Sequence, residues 1–175
     1  MALAHGKRVP LPHWFYRPDG SDGFCGIHGA MHALRVAAHC EEISEDLGLV
    51  ERERDAAHLA GLWHDIGRTD DRADYYHGAK SAGKIVGLGE HLDLDPGTVE
   101  LALFAVTHHC GSEEHAERGA LYTPDPEATL RVFRVLKDAD ALDRVRLGDL
   151  DESFLRFEVS KWRVERAWEL LEKMQ

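Results

Sequence analysis

The sequence predicts an all-α fold in which about six helices pack into one bundle. Apolar residues recur every three to four positions in six segments, and no stretch alternates apolar and polar residues over the length of a strand. The chain has 175 residues, 43% of them hydrophobic, which suits one core and leaves no room for two. We therefore expect a single helical domain over residues 24–175.

An irregular arm is expected before the first helix. Residues 5–23 hold three of the six prolines and the turn-rich run RPDGSDG, which favours a loop over a helix or strand. The predicted irregular N-terminal arm spans residues 1–23.

The helix boundaries follow from residues that start or stop helices. Gly48 follows the first helix as a stop signal, and the second helix ends at Gly67 after an acidic start. The fourth helix begins at Pro96 behind Asp95, a typical capping pair. The segment GSEEHAERGALYTPDP is interpreted as a loop. The predicted helices span residues 24–47, 51–66, 76–88, 96–109, 127–146 and 152–174.

Composition and charge exclude several classes of protein. Lysine plus arginine number 21 against 32 aspartate plus glutamate, and the net charge of −11 repels a nucleic-acid polymer. No run approaches the roughly 18 apolar residues of a membrane span, and the N-terminal MALAHGKRVP lacks the apolar core of a signal peptide. The three cysteines form no CxxC pair, which argues against a disulfide framework or a thiolate zinc site. We therefore expect a cytoplasmic protein that binds neither nucleic-acid polymers nor membranes.

Twelve histidines make the composition unusual and point to metal chemistry. The motifs HxxxH, HH and HD are each expected about once by chance in such a chain, so only their positions carry information. Five consecutive predicted helices each present a ligand-type residue, and a bundle can direct such side chains at one interior point. These residues are His28 and His32 on the first helix, His64 and Asp65 at the end of the second, His77 opening the third, His108 and His109 closing the fourth, and Asp140 within the fifth.

The residue types define the chemistry that such a site supports. Neutral imidazoles and carboxylates suit divalent iron, manganese or zinc, and a carboxylate such as Asp65 can bridge two cations where an imidazole nitrogen cannot. Asp140 shares a helix face with apolar neighbours, so its carboxylate points inward and needs a cation. Asp138 lies about 200° round the same helix and is expected in solvent. His39 lies about 10 Å along the axis from His32 and is expected to be structural or solvated.

Residues 28–140 resemble the HD-domain metal-dependent phosphohydrolase superfamily, whose pattern is a histidine on the first helix, an adjacent His-Asp pair and a late aspartate. The matching residues are His32 in HALRV, His64 and Asp65 in LWHDIGR, and Asp140 in DADALD. The pattern keeps its order over this span, which makes the resemblance far more specific than an HD dipeptide alone. It implies an HD-type helical domain whose metal site lies between the helices.

The resemblance also assigns the remaining histidines. Binuclear members of the superfamily, including the HD-GYP cyclic-dinucleotide phosphodiesterases, add further metal ligands, and His77, His108 and His109 resemble these. His28 stands where those members often carry a glutamate, and we interpret it as a substrate contact, with a role as ligand left open. The GYP segment is absent, since CGSEEHAERGA follows the paired histidines, so a cyclic-dinucleotide substrate is not expected.

Catalytic residues are implied around the His-Asp pair. Arg68 occupies the position of a lysine in the HDIGK segment of HD-GYP proteins, and its guanidinium is expected to bind phosphate oxygens and to act in catalysis. Asp71 is the expected catalytic carboxylate that family members place shortly after the pair. Asp65 is the third expected catalytic residue.

The function implied by the resemblance is metal-dependent hydrolysis of a small phosphate ester or phosphodiester, nucleotide-like in chemistry. The cofactor is one or two divalent ions, either iron, manganese or zinc, with magnesium, nickel and cobalt as further options. Such ions activate water and stabilise charge on a phosphoryl group, so the expected partner is a small phosphorylated substrate. Two alternatives stay open: a mixed-valent di-iron oxygenase built on the HD scaffold, and a non-catalytic nucleotide-binding module. The sequence predicts no oligomeric state.

Overall fold

The structure is a computed structural model that describes residues 2–4, 7–9, 27–88 and 94–174. Within these residues it contains eight α-helices, which confirms the predicted all-α class. The helices are α1 (Ala30–Asp46), α2 (Glu51–Trp63), α3 (His77–Leu88), α4 (Pro96–His108), α5 (Glu113–Ala120), α6 (Pro126–Leu142), α7 (Glu158–Lys161) and α8 (Val164–Lys173). Two short 3₁₀ helices, Asp143–Leu147 and Glu152–Phe154, connect α6 to α7. None of the helices described is both long and apolar enough to cross a bilayer.

Two three-residue strands pair near the N-terminus. Strand β1 (Ala2–Ala4) runs antiparallel to β2 (Lys7–Val9), with Ala2 opposite Val9. Strands this short cannot show the alternation of apolar and polar residues that marks a strand in a sequence, so the sequence gives no sign of them. The rest of the predicted arm lies outside the described residues.

Several helix ends carry the predicted start and stop residues. At the start of α4, the carboxylate of Asp95 accepts a hydrogen bond from the Thr98 backbone N–H at 2.9 Å. At the start of α6, Asp125 accepts one from Ala128 at 3.0 Å. After α1, Gly48 has φ = 63°, the left-handed conformation that favours glycine at a helix stop.

Two segments differ from the sequence prediction. The predicted loop after α4 contains α5, and the Ser112 hydroxyl caps it by accepting a backbone N–H of the first turn. The predicted last helix is broken before α7, because the backbone N–H groups of Arg156 and Phe157 donate to the carboxylate of Asp138. Asp138 is fully buried, so its predicted exposure to solvent is wrong. A buried carboxylate is tolerated here because it accepts these donors.

The core lies between α1, α2, α4 and α6. Its largest buried side chains include Trp63, Phe133 and Ile43. Helices α1 and α2 approach so closely at Gly61 that a Cβ atom there would lie 2.7 Å from the Cα atom of Ala37. Only glycine fits this crossing, which keeps the end of α2 beside α1.

Candidate metal centre

Four histidine rings meet between the helices in two pairs. His32 on α1 and His64 in the turn after α2 lie with their Nε2 atoms 3.0 Å apart. His77 at the start of α3 and His109 directly after α4 lie with their Nε2 atoms 2.7 Å apart. All four residues are buried, so both pairs are shielded from bulk water.

The second ring nitrogen of each histidine is held by an oxygen acceptor. The acceptors are the carbonyl oxygens of Gly61 for His64, Asp74 for His77 and Val106 for His109, and the carboxylate of Asp143 for His32. Because these oxygens can only accept, Nδ1 of each ring carries a proton, and Nε2 is the atom that a neutral ring offers as a ligand. Two lone pairs that face each other repel unless a cation lies with them. The tautomers therefore fit a metal ion at each pair.

A proton is the other cation that such a pair accepts, and burial disfavours it at His64. At His32 burial also acts to lower the pKa, but the hydrogen bonds to the carboxylates of Asp143 and Asp65 outweigh it and raise the pKa. Burial lowers the pKa of His64 from 6.5 to about 4, so this ring is neutral at pH 7.

Two imidazole nitrogens that bind one ion at about 2.1 Å, with an angle of about 90–109° between them, are roughly 3.0–3.4 Å apart. The 3.0 Å between His32 and His64 fits this spacing, whereas the 2.7 Å between His77 and His109 is shorter, so the second pair would have to open to hold an ion.

Asp65 stands between the two histidine pairs. Its Oδ2 atom lies 3.5 Å from Nε2 of both His32 and His64. Its Oδ1 atom lies 3.1 Å from Nε2 of His77 and 3.8 Å from that of His109. One carboxylate oxygen therefore faces each pair, the position that a ligand bridging two cations requires.

Asp140 on α6 adds a second carboxylate, beside the first pair. Its Oδ1 atom lies 3.4 Å from Nε2 of His32 and 3.9 Å from Nε2 of His64. Burial alone would raise the pKa of both Asp65 and Asp140, but the surrounding histidine rings outweigh burial and lower both pKa values. Two ionised carboxylates, the buried Asp65 and the partly exposed Asp140, thus share one site with four buried imidazoles, a donor set that suits divalent cations.

The turn over residues 64–67 is anchored to α3. The Ser81 hydroxyl accepts a hydrogen bond from the Gly67 backbone N–H at 2.8 Å and donates one to the His64 carbonyl at 2.7 Å. Ser81 is buried. The backbone that carries the His-Asp pair is therefore fixed before any ion binds.

Asp143 holds His32 in place, and sequence reasoning missed it. Its Oδ2 atom lies 2.7 Å from Nδ1 of His32, and the guanidinium of Arg35 donates to the same carboxylate at 2.6 Å. Nη1 of Arg146 forms a salt bridge with Oδ2 at 3.2 Å and donates to the Asp143 carbonyl at 3.0 Å. Burial would raise the pKa of Asp143, but the hydrogen bonds from His32 and Arg35 outweigh it and lower the pKa. Its position three residues after Asp140, on nearly the same helix face, is the signal that points to it.

A cavity of about 230 Å³ opens onto His77, His109 and the carboxylates of Asp65 and Asp140. Its cationic lining residues are Arg68, Lys137, Arg144 and Arg146. The Nε atom of Arg68 donates to Oδ1 of Asp65 at 3.0 Å, and Nη1 donates to the Arg72 carbonyl at 3.1 Å. Within the part of the chain that the structure describes, its Nη2 atom has no hydrogen-bond partner. Arg68 therefore holds a metal ligand and keeps donors for an anion in the cavity.

Lys137 is a second site residue that sequence reasoning missed. Its ammonium donates to the His109 carbonyl at 2.7 Å. Over residues 27–88 and 94–174 no carboxylate lies within salt-bridge distance of this ammonium. Lys137 precedes Asp140 by three residues on the same helix face, and this spacing is the signal that finds it.

His28 lines the cavity, whereas Asp71 does not. Nδ1 of His28 lies 2.8 Å from Oδ1 of Asp71, and the second carboxylate oxygen accepts the Ile27 backbone N–H at 3.3 Å. Burial lowers the pKa of His28 despite this hydrogen bond, so the ring is neutral at pH 7. The structure thus places Asp71 where it orients His28, and not at the reacting centre as the sequence analysis expected.

The structure contradicts the prediction that His108 is a metal ligand. Its ring lies against Phe104 and His115, with centroids 4.4 and 5.4 Å away, on the side that faces α5. Adjacent helical residues point about 100° apart, and here His109 points into the site while His108 points toward α5. The next residue, Cys110, does reach it, since its thiol lies within 4.8 Å of the Nε2 atoms or other ligand atoms of His77 and His109.

A helical bundle that brings four imidazoles and two carboxylates to one buried point defines a class, the all-α domains with a mixed histidine and aspartate metal site. The chain belongs to the HD domain family, whose model matches residues 29–145. This superfamily consists mostly of metal-dependent phosphohydrolases, and its domains bind divalent metals. The resemblance found in the sequence is therefore confirmed. Neither the curated proteins nor the solved structures gave a significant match to the chain.

Proposed function

We propose that this protein hydrolyses a small, nucleotide-like phosphate ester or phosphodiester with the help of two divalent cations. One observation carries the proposal: two pairs of imidazole nitrogens face each other, and one oxygen of Asp65 faces each pair. A purely structural cluster has no need for imidazole nitrogens that point at one another beside two carboxylates.

The residues divide into two ligand sets. His32, His64 and Asp140 would hold one ion, His77 and His109 the other, and Asp65 both. When bound, divalent cations supply Lewis acidity, which activates water for attack on phosphorus and offsets charge on the phosphoryl oxygens. Asp143 keeps the His32 ring in the orientation that binding requires.

Cationic side chains support a phosphorylated substrate. Among the residues that the structure describes, Arg68 keeps a free donor beside Asp65, and the Lys137 ammonium donates only to a carbonyl oxygen. Hydrogen bonds from charged donors to phosphate oxygens are stronger than those between neutral groups. The two side chains would orient the phosphate against the ligand cluster, which is the four histidines of the two pairs with Asp65 and Asp140. They would also neutralise part of the charge of the phosphate.

His28 is suited to take a proton from the attacking water. Its Nδ1 atom donates to Asp71, so Nε2 is the acceptor nitrogen of a ring that lines the cavity. The lowered pKa keeps this ring neutral, and a neutral ring is the form that accepts a proton. Asp71 acts through His28 as a positioning residue.

The oxygenase and binding-module alternatives use the same scaffold. The arginine and lysine side chains that line the cavity favour a phosphate over an uncharged polyol, which supports the hydrolase over the oxygenase. A module that only binds nucleotides has no need for a carboxylate between two ion-binding pairs. Oxygen consumption by reduced, iron-loaded protein and turnover of phosphate esters separate the three functions.

Metal content and the activity of variants at Asp65, His109 and His108 test the proposal. Protein purified without chelator or metal-affinity tag is expected to hold two divalent ions per chain. Asp65→Asn and His109→Gln are each expected to lose metal and at least about 100-fold in hydrolysis of nucleoside monophosphates, since both remove a ligand. His108→Gln is the matched control, because the neighbouring ring points away from the site.

The proposal is wrong if Asp65→Asn keeps both its metal content and its hydrolytic activity. It is also wrong if chelated, metal-free protein turns over the same esters at the rate of the metal-loaded protein. Equal loss in His108→Gln and His109→Gln would contradict the assignment of the ligands.

A further inference from the structure

A second cavity, of about 350 Å³, adjoins the metal cavity. Lys137, Asp140 and Arg144 line both cavities, so one molecule can occupy the two together. Ligand pockets in proteins span roughly 300–1,000 Å³, and the metal cavity, at about 230 Å³, lies below this range. The metal cavity therefore suits a phosphate group, and the rest of the substrate needs the second cavity.

Phe154 forms an aromatic wall of the second cavity. It is 68% exposed, which is unusual for so large an apolar side chain. The wall is nevertheless fixed, because Arg156 Nη1 donates to the Phe154 carbonyl at 2.9 Å and the Arg156 backbone N–H donates to the buried carboxylate of Asp138. The backbone that carries the ring is therefore held at the cavity edge by hydrogen bonds, two of them to a buried carboxylate.

The arginines around the second cavity are each paired with a carboxylate. Arg144 forms a salt bridge with Asp149, and Arg156 donates to Glu113 at 2.7 Å in addition to its contact with Asp138. Lys137, at the border between the cavities, lacks such a carboxylate partner in the described part of the chain. The border therefore attracts an anion, whereas the second cavity suits a neutral polar group.

We propose that the second cavity binds the nucleobase of a nucleotide, stacked on Phe154, while the phosphate lies across the border at Lys137 and the ligand cluster. The carboxylates of Asp149 and Asp151, on the same wall, are acceptors for the amino and hydroxyl groups of a nucleoside. This assignment rests on the proposed hydrolase function and adds the feature that selects its substrate.

The test compares two substrates that differ only in the base. Ribonucleoside 5′-monophosphates carry it, and ribose 5-phosphate lacks it. Stacking of a base on an aromatic side chain contributes about 1–3 kcal/mol, a factor of about 5 to 150. Phe154→Ala is expected to raise KM for the nucleotides by about this factor and to leave KM and kcat for ribose 5-phosphate unchanged. Phe154→Tyr is expected to restore the nucleotide KM, because it keeps a ring.

Tyr122→Ala is the matched control. Tyr122 is 91% exposed and lines neither cavity, so its removal tests for the general effect of losing a surface aromatic residue. The assignment is overturned if Phe154→Ala leaves the nucleotide KM unchanged, or if it changes the kinetics of both substrates equally. The hydrolase function stands in either case.

Measuring the binding of adenosine tests the base subsite even if the protein hydrolyses none of these esters. Equilibrium dialysis of adenosine against the protein as purified measures the base subsite directly. If neither ester is hydrolysed, the hydrolase function fails, and weaker adenosine binding by Phe154→Ala than by the wild type still supports the subsite. Adenosine binding that is absent, or equal in the two proteins, overturns it.

Discussion

His32 owes its orientation to a residue far away in the sequence. Asp143 accepts the Nδ1 proton of His32 and is itself held by Arg35 and Arg146. All of these groups are buried or nearly so, and the carboxylate is fully buried. Partners of this kind commonly change metal affinity by about 10- to 100-fold.

We predict that Asp143→Asn lowers metal affinity by about 10- to 100-fold, because the amide no longer fixes the His32 ring as a charged acceptor does. Competition with a chelator on the folded protein measures this. Arg35→Met is the control: it removes a guanidinium from Asp143 and lowers the unfolding temperature, but keeps the His32 contact. Equal metal affinity in Asp143→Asn and wild type would contradict the role.

The buried ring of His39 makes the free energy of unfolding depend on pH. The ring is fully buried, its nitrogens have no hydrogen-bond partner among the described residues, and burial lowers its pKa from 6.5 to about 4. The unfolded state therefore binds a proton below pH 6.5 that the folded state accepts only near pH 4. The stability contribution is complete above pH 6.5 and is lost as the pH falls toward 4, with a total on the order of 3 kcal/mol.

Urea unfolding of chelated protein at pH 7 and pH 5 checks this prediction. Metal is removed because protons also compete with bound ions. Between these pH values, His39→Leu is expected to lose less stability than the wild type, because it lacks the ring that takes up a proton on unfolding. Some loss remains, since His64, whose pKa is also about 4, still takes up a proton on unfolding. The same loss in both proteins would show that His39 does not contribute.

The positions of the site residues along their helices explain which of them could be predicted from the sequence. His32, His64, Asp65 and Asp140 fall at helix positions that a bundle brings together, and a sequence shows such positions directly. Asp143 and Lys137 escaped notice because their roles depend on partners from other helices. Which of His108 and His109 faces the metal centre depends on how α4 is rotated about its axis. A sequence predicts helix positions only to within a residue or two, so it does not decide between adjacent residues.

Among the elements, the turn after α2 has the tightest packing. A Cβ atom on Gly67 would lie 2.3 Å from the Ser81 backbone nitrogen and 2.6 Å from the His77 carbonyl oxygen. Neither atom belongs to a flexible side chain, so α3 would have to move.

We predict that Gly67→Ala lowers stability by about 1–3 kcal/mol, because the added methyl group overpacks this contact. Metal binding is expected to weaken as well, since the shift alters the turn that carries His64 and Asp65. Gly83→Ala in α3 is the matched control. No atom lies within 4 Å of a Cβ there, and alanine favours a helix interior by about 0.5–1 kcal/mol over glycine. Thermal unfolding that ranks Gly67→Ala at or above Gly83→Ala would contradict the prediction.

Element boundaries were predictable where the signals were local. Asp95 and Pro96 mark the start of α4 in sequence and in structure. The missed helix α5 had a local signal too, since Ser112 and two following glutamates are typical of a helix start. The break before α7 had none, because Asp138 acts there across a sequence separation of 18 to 19 residues.

On the scale of the whole molecule, the charge distribution opposes the net charge. The chain carries −11, and carboxylates pair with Arg68, Arg144, Arg146 and Arg156 around the two cavities. Lys137 lines both cavities and has no carboxylate within salt-bridge distance among the described residues, so it is the cation that acts on an anion there. A local positive field attracts anions even on an acidic protein, and salt screens it.

We therefore predict that kcat/KM for a phosphate ester falls as sodium chloride rises. Lys137→Gln is expected to lower kcat/KM by about 10- to 100-fold at low salt, the effect of a charged hydrogen bond, and to flatten the salt dependence. Arg118→Gln is the control, because this residue is an exposed partner of Glu114 and lines neither cavity. A salt dependence that is unchanged in Lys137→Gln would contradict the role of the cavity field.

The contacts that complete the site also set the order of folding. His32 pairs with His64 over 32 residues, whereas its contact with Asp143 closes 111 residues, and Arg35 reaches the Met174 carbonyl over 139. Contacts of long sequence separation form late, because chain entropy opposes them until the intervening helices have assembled. In a refolding experiment, recovery of full metal affinity therefore follows the recovery of helix content and reports the final kinetic phase.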